Sequence, residues 1–325
     1  MPKLSVVIPV YGVERYIERC AVSLFEQSLT EIEFIFVDDC SPDRSVEILR
    51  SVVERYGDSL KEMNDSVKIV RTPSNGGQCA ARRFGMQLAA GDFVINCDSD
   101  DWLEKDAYTL MYRKAVDEGA DLVVCDLVSD DAKGTQRYYK SIGRGLEADT
   151  IIVDAARDKA TWSLCDKIIR RSLLESVVAW PQYNMGEDMV ITFQILATHP
   201  KVAYVQKALY HYFINTDSIT KHVTKQIAFS NFAQLKGNVD TLKSALLQKG
   251  EYERYKEVLD CLYYRTLNIL VKFIPDSEVY ALWRQTVKDL GIDVLHNPYI
   301  KSHYKTRHII LMAHLNFLFI RKKNK

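Results

Sequence analysis

The sequence predicts an α/β fold, in which a mostly parallel central sheet carries flanking helices and a helical extension follows. Over the first third of the 325-residue chain, short apolar runs alternate with segments of helical period, and strands at this spacing need right-handed crossovers in a parallel sheet. Later segments such as 252–273 and 277–290 are helical in period and poor in glycine. We therefore predict a first domain over residues 1–224 and a helical C-terminal extension over residues 225–325.

Five apolar runs are the predicted strands, and amphipathic segments between them are the predicted helices. Residues 4–8 are β-branched and apolar and end at Pro9, which is typical of a central strand. The next segment places Ile17 and Leu24 on one helical face. The polar stretch 130–145 is expected to be a surface excursion or lid. The other predicted strands are 33–37, 67–70, 93–97 and 122–125, and the other predicted helices of this region are 46–56, 77–90 and 107–118.

Composition excludes several classes of protein. Lys plus Arg and Asp plus Glu both number 43, so the chain lacks the basic balance that nucleic-acid binding normally requires. The seven cysteines form no CxxC pair, which indicates free thiols in a reducing compartment. The apolar run 4–10 is too short for a signal peptide, and no run approaches the length of a membrane span. We predict a cytoplasmic protein with no nucleic-acid partner.

The sequence DSDDW at residues 98–102 directly follows a predicted buried strand. Three carboxylates at a strand end repel one another, and a divalent cation that binds one or two carboxylates plus substrate phosphates would offset this repulsion. The segment therefore predicts a metal–diphosphate site. Capping of the next helix by Asp98 or Asp100 is the alternative.

Other polar residues follow the ends of the predicted parallel strands, where ligands bind in such sheets. Asp38 and Asp39 end the second strand and could accept hydrogen bonds from a base or a ribose. Capping of the next helix by Asp43 is the structural alternative, and it is compatible with this binding role. We expect a ligand site at this edge of the sheet.

Two further motifs point to anion binding and to proton transfer. Residues 75–77 (NGG) begin a helix, where free backbone N–H groups favour anions, and Arg82 adds a fork of donors. The pair Glu187 and Asp188 precedes another helix, whose dipole stabilises an anion there. An ionised Asp188 could also act as a general base, so a simple cap and a base both stay open. Neither GxGxxG after the first strand nor GxxxxGK[ST] is present, which disfavours a dinucleotide-binding dehydrogenase and a P-loop.

The motifs occur in one order: SVVIPVY at 5–11, FVDDCSPD at 36–43, NGG at 75–77 with Ala81, Arg82 and Gly85, GDF at 91–93, DSDDW at 98–102, Trp162 with DKI at 166–168, GED at 186–188, and YHY at 210–212 with SIT at 218–220. In this order and spacing, the chain resembles the family 2 glycosyltransferases. These are inverting enzymes of the GT-A fold, a Rossmann-like α/β fold, that use nucleotide-sugars. The resemblance covers roughly residues 3–222.

The resemblance implies a role for several residues. Asp39 would contact uracil or another base, and Asp98 would hold the ribose or the sugar. Asp100 would bind Mn²⁺ or Mg²⁺ on the diphosphate, Arg82 would support the base or diphosphate, and Asp188 would be the catalytic base. The other residues implied for nucleotide-sugar binding are Pro9, Val10, Tyr11, Glu14, Asp38, Gly76 and Ser99, and those implied for the acceptor or for support of the site are Trp102, Trp162, Lys167, Glu187 and His211.

Three positions depart from the usual family pattern. Glu14 stands near a common Asn, Cys40 replaces a common Gly, and Arg83 replaces a common Asn. None of the three removes a charge that the implied mechanism needs. Asp101 keeps the structural, helix-capping interpretation.

The implied reaction moves a sugar from a nucleoside-diphosphate sugar, expected to be a UDP-sugar, to a hydroxyl of a glycan or lipid-linked glycan in cell-surface polysaccharide biosynthesis. Two alternatives stay open. A sugar nucleotidyltransferase would leave Asp188 without a role, and a catalytically silent glycan-binding protein has no reason to retain Asp39, Asp100 and Asp188. Whether the protein forms a homo-oligomer stays open as well.

The C-terminal segment 308–325 is apolar and ends in the basic sequence RKKNK. It could lie in a membrane interface with its basic end on anionic lipid, which would make the protein peripheral on the inner face of the plasma membrane. The alternative is a buried terminal helix with a solvated basic tail.

Overall fold

The computed structural model describes residues 2–131, 133–214 and 224–315. Strands and helices alternate over its first third, as the sequence predicts. The strands are β1 (Leu4–Val10), β2 (Ile32–Asp38), β3 (Ser66–Arg71), β4 (Phe93–Asn96), β5 (Trp102–Leu103), β6 (Leu122–Asp131), β7 (Gln136–Tyr139), β8 (Lys167–Arg170) and β9 (Val202–Ile214). The helices are α1 (Ile17–Phe25), α2 (Ser45–Glu62), α3 (Gly77–Leu88), α4 (Ala107–Glu118), α5 (Ala148–Ala156), α6 (Glu187–Leu196), α7 (Lys225–Gln248), α8 (Tyr252–Thr266), α9 (Asn268–Val271), α10 (Ser277–Leu290) and α11 (Ser302–Met312), with a 3-10 helix at Arg171–Ser176.

The strands form one sheet in the order β3-β2-β1-β4-β8-β6-β9-β5, and β7 pairs with the outer part of β6. The longer pairings, β1 with β2, β2 with β3 and β6 with β9, are parallel, as is the pair β1–β4. The short pairings of β8, β5 and β7 are antiparallel. The α/β fold with a mostly parallel sheet is therefore confirmed, and a mixed region adjoins its parallel half.

Strand β1 shows how the sheet divides the apolar core into two layers. All seven of its residues are buried, and successive side chains of a strand point to opposite faces. Leu4, Val6 and Ile8 pack with the apolar faces of α1, α2 and α4. Val7 packs on the opposite face, in the layer that contains α5 and α6. The carboxyl ends of the strands are thereby held between two helical layers.

A buried carboxylate lies near the amino ends of the parallel strands and connects β2 to its neighbours. Glu33 in β2 accepts hydrogen bonds from the hydroxyl of Ser5 at 2.6 Å and the backbone N–H of Ala90 at 2.8 Å, and it pairs with Lys68. These partners lie on β1, on the segment before β4 and on β3. Their hydrogen bonds satisfy a carboxylate that would otherwise be costly to bury.

The C-terminal helices share a core with the sheet layer that contains the candidate base. Leu242 of α7 and Leu259 of α8 belong to the same apolar cluster as Phe193 of α6. A further cluster around Trp283 joins α8 to α11. The predicted domain boundary near residue 224 stays a prediction, and the helices that follow it pack directly behind α6.

The stretch 130–145 lies largely at the surface, as expected, but part of it is regular: β6 continues to Asp131, and the exposed strand β7 pairs with it as a hairpin. The expectation for Asp101 is wrong. Asp101 caps no helix. Its buried carboxylate accepts hydrogen bonds from the Tyr210 hydroxyl at 2.6 Å and from the backbone N–H of Phe213 at 2.7 Å, so it anchors β9 instead.

Several expectations about the ends of the chain bear on parts that the structure only partly covers. No helix in the described ranges is long and apolar enough to cross a membrane. The motif at 218–220 and most of the candidate membrane segment, 316–325, lie outside the described residues. All seven cysteines are free thiols, as predicted from their spacing.

Candidate active site

A cavity of about 470 Å³ lies at the carboxyl ends of β1, β2 and β4, the edge at which the sequence predicts a ligand site. We call it the strand-end cavity. Its lining includes Pro9, Val10, Tyr11, Asp39, Gln78, Asp98, Ser99, Asp100, Asn184 and Tyr212.

Asp98 and Asp100 lie on the loop that follows β4. One oxygen of Asp98 accepts hydrogen bonds from Arg82 at 2.5 Å and from Gln78 at 2.9 Å. The backbone N–H of Asp98 donates to the hydroxyl oxygen of Tyr210 at 3.0 Å. Burial, followed by repulsion from Asp98, raises the pKa of Asp100 to about 6. A cation between these two carboxylates would relieve that repulsion. In the described part of the chain, no three His, Cys, Asp or Glu side chains are grouped so that they could hold a metal ion on their own.

Asp39 is held by neutral donors. Its carboxylate accepts hydrogen bonds from the Thr72 hydroxyl at 2.8 Å and from the backbone N–H groups of Gly76 at 3.0 Å and Gly77 at 2.7 Å. Gly77 adopts φ +79°, and a Cβ there would meet the side chain of Asn184 at 2.5 Å, so the turn needs glycine. The predicted NGG motif therefore fixes the position of Asp39.

Arg82 is the centre of the site. It is 2% exposed, and its guanidinium donates to Asp98 at 2.5 Å and to Glu187 at 2.6 Å and also contacts Asp188. Burial, followed by the charge of Asp188, raises the pKa of Glu187 to about 8, although Arg82 opposes the rise. Burial also raises the pKa of Asp188, and Arg82 again limits the shift. One cation thus holds three carboxylates from two distant motifs.

Local structure explains why these groups meet. Gln78 and Arg82 are four residues apart on α3, so both side chains lie on one helical face and reach Asp98. Glu187 and Asp188 form the first turn of α6, after Gly186 in the left-handed region at φ +82°. The helix N-terminus favours negative charge at both positions.

A second cavity, of about 530 Å³, adjoins the first and contains the candidate base. We call it the hairpin cavity, because β6 and β7 form one side of it. It shares Gln78, Asp98 and Tyr212 with the strand-end cavity. Its other lining residues include Arg82, Leu127, Ser129, Tyr139, Glu187 and Asp188.

The structure brings together many of the residues that the sequence singles out. Pro9, Val10, Tyr11, Asp39, Asp98, Ser99 and Asp100 line the strand-end cavity, and Arg82, Glu187 and Asp188 line the hairpin cavity. Trp162 lines a further cavity beside Asp188 and stacks on Phe193. Gly76 contributes its N–H to Asp39 rather than lining the strand-end cavity.

Other predicted residues do not line either cavity themselves and are held by structural partners. Asp38 accepts a hydrogen bond from the backbone N–H of Ser41 at 2.7 Å, and Glu14 accepts one from the backbone N–H of Arg44 at 3.2 Å. Lys167 is buried, and its ammonium group donates to Asp166, Thr161 and Ser163. These contacts stabilise loops around the site.

Trp102 and His211 lie on the opposite face of the sheet from Asp188. They are register partners in β5 and β9 and stack with ring centroids 4.9 Å apart. His211 also contacts Asp130 and Glu104, each at 2.9 Å. Because strand residues alternate between faces, it is Tyr212, the next residue of β9, that reaches the cavities.

Sequence reasoning missed Gln78, Asn184, Ser129, Tyr139 and Tyr212. Two of them carried a usable signal. Gln78 lies one helical turn before Arg82, and Tyr212 has the same parity in β9 as the buried Tyr210. Ser129 and Tyr139 carried none, because the predicted fifth strand ends at residue 125 and the stretch 130–145 is expected to be a surface excursion or lid.

With this geometry established, comparison with known proteins gives the class of protein. TarS of S. aureus (residues 1–349), solved in complex with UDP-GlcNAc, superposes with a TM-score of 0.65 at 20% identity, covering 98% of this chain and 86% of TarS. Mannosyltransferase PcManGT from Pyrobaculum calidifontis, solved with GDP-Man and Mn²⁺, gives a TM-score of 0.52 at 15% identity, covering 98% of this chain and 88% of PcManGT. At these identities the likeness shows the fold, which is GT-A-like.

Residues 5–177 match the model of Glycosyl transferase family 2. The chain belongs to this family and is a glycosyltransferase. It is 29% identical to EpsH of Bacillus subtilis (strain 168) over 276 residues, which are 80% of this chain and 73% of EpsH. An uncharacterized glycosyltransferase of Haemophilus influenzae is 33% identical over 66% of this chain and 95% of its own length. The poly(ribitol-phosphate) beta-glucosyltransferase of Bacillus spizizenii is 26% identical over 85% of this chain, which spans 43% of that relative.

Proposed function

We propose that this glycosyltransferase moves a hexosyl unit from a UDP-sugar to a hydroxyl of a glycan or lipid-linked glycan, with inversion, in cell-surface polysaccharide biosynthesis. One observation carries the proposal. Asp98 lines both the strand-end cavity and the hairpin cavity, and of these two Asp188 lines the hairpin cavity. A donor in the strand-end cavity and an acceptor in the hairpin cavity would therefore meet beside Asp188.

The strand-end cavity suits a nucleoside diphosphate. Pro9, Val10 and Tyr11 supply an apolar and aromatic side, and Asp39 supplies a fixed carboxylate for a base or ribose. The TarS structure with UDP-GlcNAc supports a UDP-sugar as the donor. The relative that acts on poly(ribitol-phosphate) supports a surface polymer as the context.

Asp98 and Asp100 fit a divalent metal ion. The two carboxylates lie at the end of the strand-end cavity, and burial with mutual repulsion raises the pKa of Asp100 to about 6. Mn²⁺ or Mg²⁺ often binds through one or two carboxylates plus substrate phosphates, so a larger protein ligand set is unnecessary. Bound there, the ion would neutralise negative charge on the leaving diphosphate. The PcManGT complex with Mn²⁺ supports this assignment.

Asp188 is the proposed general base. Its carboxylate lies at the first turn of α6, in a cavity that could admit an acceptor, and burial raises its pKa from the ordinary value. A base with a raised pKa takes a proton more effectively near neutral pH. Asp188 would accept the proton of the acceptor hydroxyl while that oxygen attacks the anomeric carbon from the face opposite the diphosphate. A single displacement inverts the configuration.

The test measures UDP release from UDP-glucose, UDP-galactose and UDP-GlcNAc with Mn²⁺, with and without a chelator. We expect metal-dependent release, and Asp188→Asn should lower turnover by about 10²- to 10⁴-fold while UDP affinity changes little. Asp117→Asn, an exposed aspartate on α4, is the control and should behave like the wild type.

Three outcomes would contradict the proposal. Near-normal turnover of Asp188→Asn would remove the base assignment. Release of pyrophosphate in place of UDP would identify a nucleotidyltransferase. An intact, UDP-binding protein that turns over no nucleotide-sugar would identify a silent binding protein.

A further inference from the structure

Three strands present one row of side chains to the hairpin cavity. Leu127 and Ser129 are two residues apart in β6, so they point to the same face of the sheet. Tyr139 of β7 is the register partner of Leu127, and Tyr212 of β9 is the register partner of Ser129. Partners in register share a face, and all four residues line the hairpin cavity. The cavity wall is therefore a regular ribbon rather than an irregular loop.

Ser129 in this row has an unused polar group. The residue is 2% exposed, and its hydroxyl has no hydrogen-bond partner within the described residues. A buried hydroxyl without a partner is costly and uncommon in folded proteins. Ser129 therefore indicates that a polar group of a ligand completes this part of the wall.

The two tyrosines of the row are partly exposed. Tyr139 is 45% exposed and Tyr212 is 48% exposed, although both line a cavity. Aromatic rings that combine an apolar face with a polar tip suit sugars, which present C–H faces between hydroxyl groups. The wall therefore offers contacts of the two kinds that a hexose ring requires.

The charges in the cavity exclude an anionic ligand. Arg82 is the one cation among the lining residues, and its guanidinium is shared by Asp98, Glu187 and Asp188. Even with Glu187 protonated below its raised pKa, Asp98 and Asp188 face the single guanidinium, so a phosphate or uronate bound here would meet two like charges. A neutral, hydroxyl-rich unit meets no such penalty.

We propose that the hairpin cavity binds the reacting unit of the acceptor as a neutral sugar, with Ser129 hydrogen-bonding a ring hydroxyl and Tyr139 and Tyr212 contacting its C–H faces. The inference rests on the proposed glycosyl transfer and names the acceptor class for it. It places the specificity for the acceptor on the hairpin β6–β7 and on Tyr212 of β9, which borders both cavities.

The experiment separates donor cleavage from acceptor use. UDP release from the best donor is measured with water alone and then with methyl hexopyranosides of glucose, galactose and N-acetylglucosamine. Matched anionic probes are methyl glucuronide, which differs from methyl glucoside by the C6 carboxylate, and ribitol phosphate. We expect the neutral glycosides to stimulate release and the anionic probes to give at least about tenfold less stimulation.

Two variants test the wall. Ser129→Ala should raise the acceptor KM by about three- to tenfold and Tyr139→Ala by about tenfold. Tyr139→Phe should retain most of the acceptor binding. Ser141→Ala is the matched control, because Ser141 is also buried with an unpartnered hydroxyl but does not line the cavity. Thermal unfolding of Ser129→Ala should match or exceed that of the wild type, since the lost hydroxyl has no partner.

The outcomes are distinguishable. Absence of UDP release under every condition would overturn the proposed function. Release in water that no neutral glycoside stimulates, stronger stimulation by an anionic probe, or Ser129→Ala and Tyr139→Ala variants that match Ser141→Ala would overturn the acceptor inference alone.

Discussion

Asp39 and Asp188 are both carboxylates at the candidate site, but the protein holds them in different ways. Three neutral donors, from Thr72, Gly76 and Gly77, surround Asp39. Asp188 instead depends on Arg82, which it shares with two other carboxylates. Neutral donors fix a carboxylate without linking it to other charges, whereas a shared cation links every carboxylate around it.

Asp39, in the cavity proposed for the donor, therefore has fixed partners. The partners of Asp188, the proposed base, can change. The partners of Asp39 include two backbone N–H groups of one tight turn, which ligand binding need not disturb. Glu187 and Asp188 share one nitrogen of the Arg82 guanidinium, Nη1, while Asp98 takes Nη2 and Nε has no partner within the described residues. A change at Asp98, such as binding of a metal ion or a sugar, therefore alters the share of positive charge that reaches Asp188.

Removal of the shared cation should have the largest effect on stability. Arg82→Met leaves Asp98, Glu187 and Asp188 without it, and breaking a buried charge network of this kind costs about 3–5 kcal/mol. Because unpaired carboxylates bind protons more tightly in the folded state, the variant should lose stability as pH rises from 5 to 8. Chemical denaturation at both pH values measures the free energy of unfolding.

Arg83→Met is the matched control for this substitution. Arg83 is the next residue of α3, is exposed and lies over the ring of Trp180. It should lose less than about 1 kcal/mol, without pH dependence. Equal losses from the two variants would contradict the central role of Arg82.

The second prediction concerns the titration of Glu187. Its pKa is raised from 4.5 to about 8 in the folded protein, so the folded state binds this proton more tightly than the unfolded chain does. The stability from this group is complete below about pH 4.5 and is lost as pH rises through 8. Glu187→Gln keeps an acceptor for Arg82 and removes the titration. Its thermal unfolding should change little at pH 5 and improve relative to the wild type at pH 8.

An exposed glutamate provides the comparison for that experiment. Glu175→Gln should leave the pH dependence of unfolding as it is in the wild type. If Glu187→Gln gave the wild-type pH profile as well, the raised pKa would have no influence on stability.

The smallest effect is expected on the donor side. Thr72→Val removes one of the three donors to Asp39 and leaves the two backbone N–H groups, so the free energy of unfolding should fall by about 1 kcal/mol. The loss should be the same at pH 5 and pH 8, because the missing donor is neutral. Denaturation of Thr109→Val, which removes a hydroxyl paired with Ser28 at the surface, gives the baseline. A strongly pH-dependent loss would show that Asp39 is linked to other charges after all.

The sequence alone predicted the strand ends and the acidic motifs well, because both are local patterns. The apolar runs of β1 and β4 and the acidic residues after them could be placed without any long-range information. Arg82 and Asp188 could be named separately, but their contact joins residues more than a hundred positions apart. No periodicity or capping rule contains that contact.

The positions of Asp101, Trp102 and His211 in the structure have one physical cause. All three depend on the pairing of β5 and β9, which decides whether a side chain faces the cavities or the opposite layer. A single strand shows its alternation in the sequence, but it does not show which parity faces the ligand. The partner strands supply that information, and they are distant in the chain.

The alternation of side chains along β9 also limits which sequence changes could alter the acceptor preference of this glycosyltransferase. Tyr212 lines both cavities and Tyr210, of the same parity, is buried below them, while His211 and Phe213 contact the ring of Trp102. Deletion of one residue in this strand would exchange the two faces and place the wrong chemistry on each. A substitution at one position of β9 leaves all other side chains of the strand on their present face of the sheet. A library that aims to change acceptor preference should therefore keep the length of β9 constant and vary only the residues that share the parity of Tyr212.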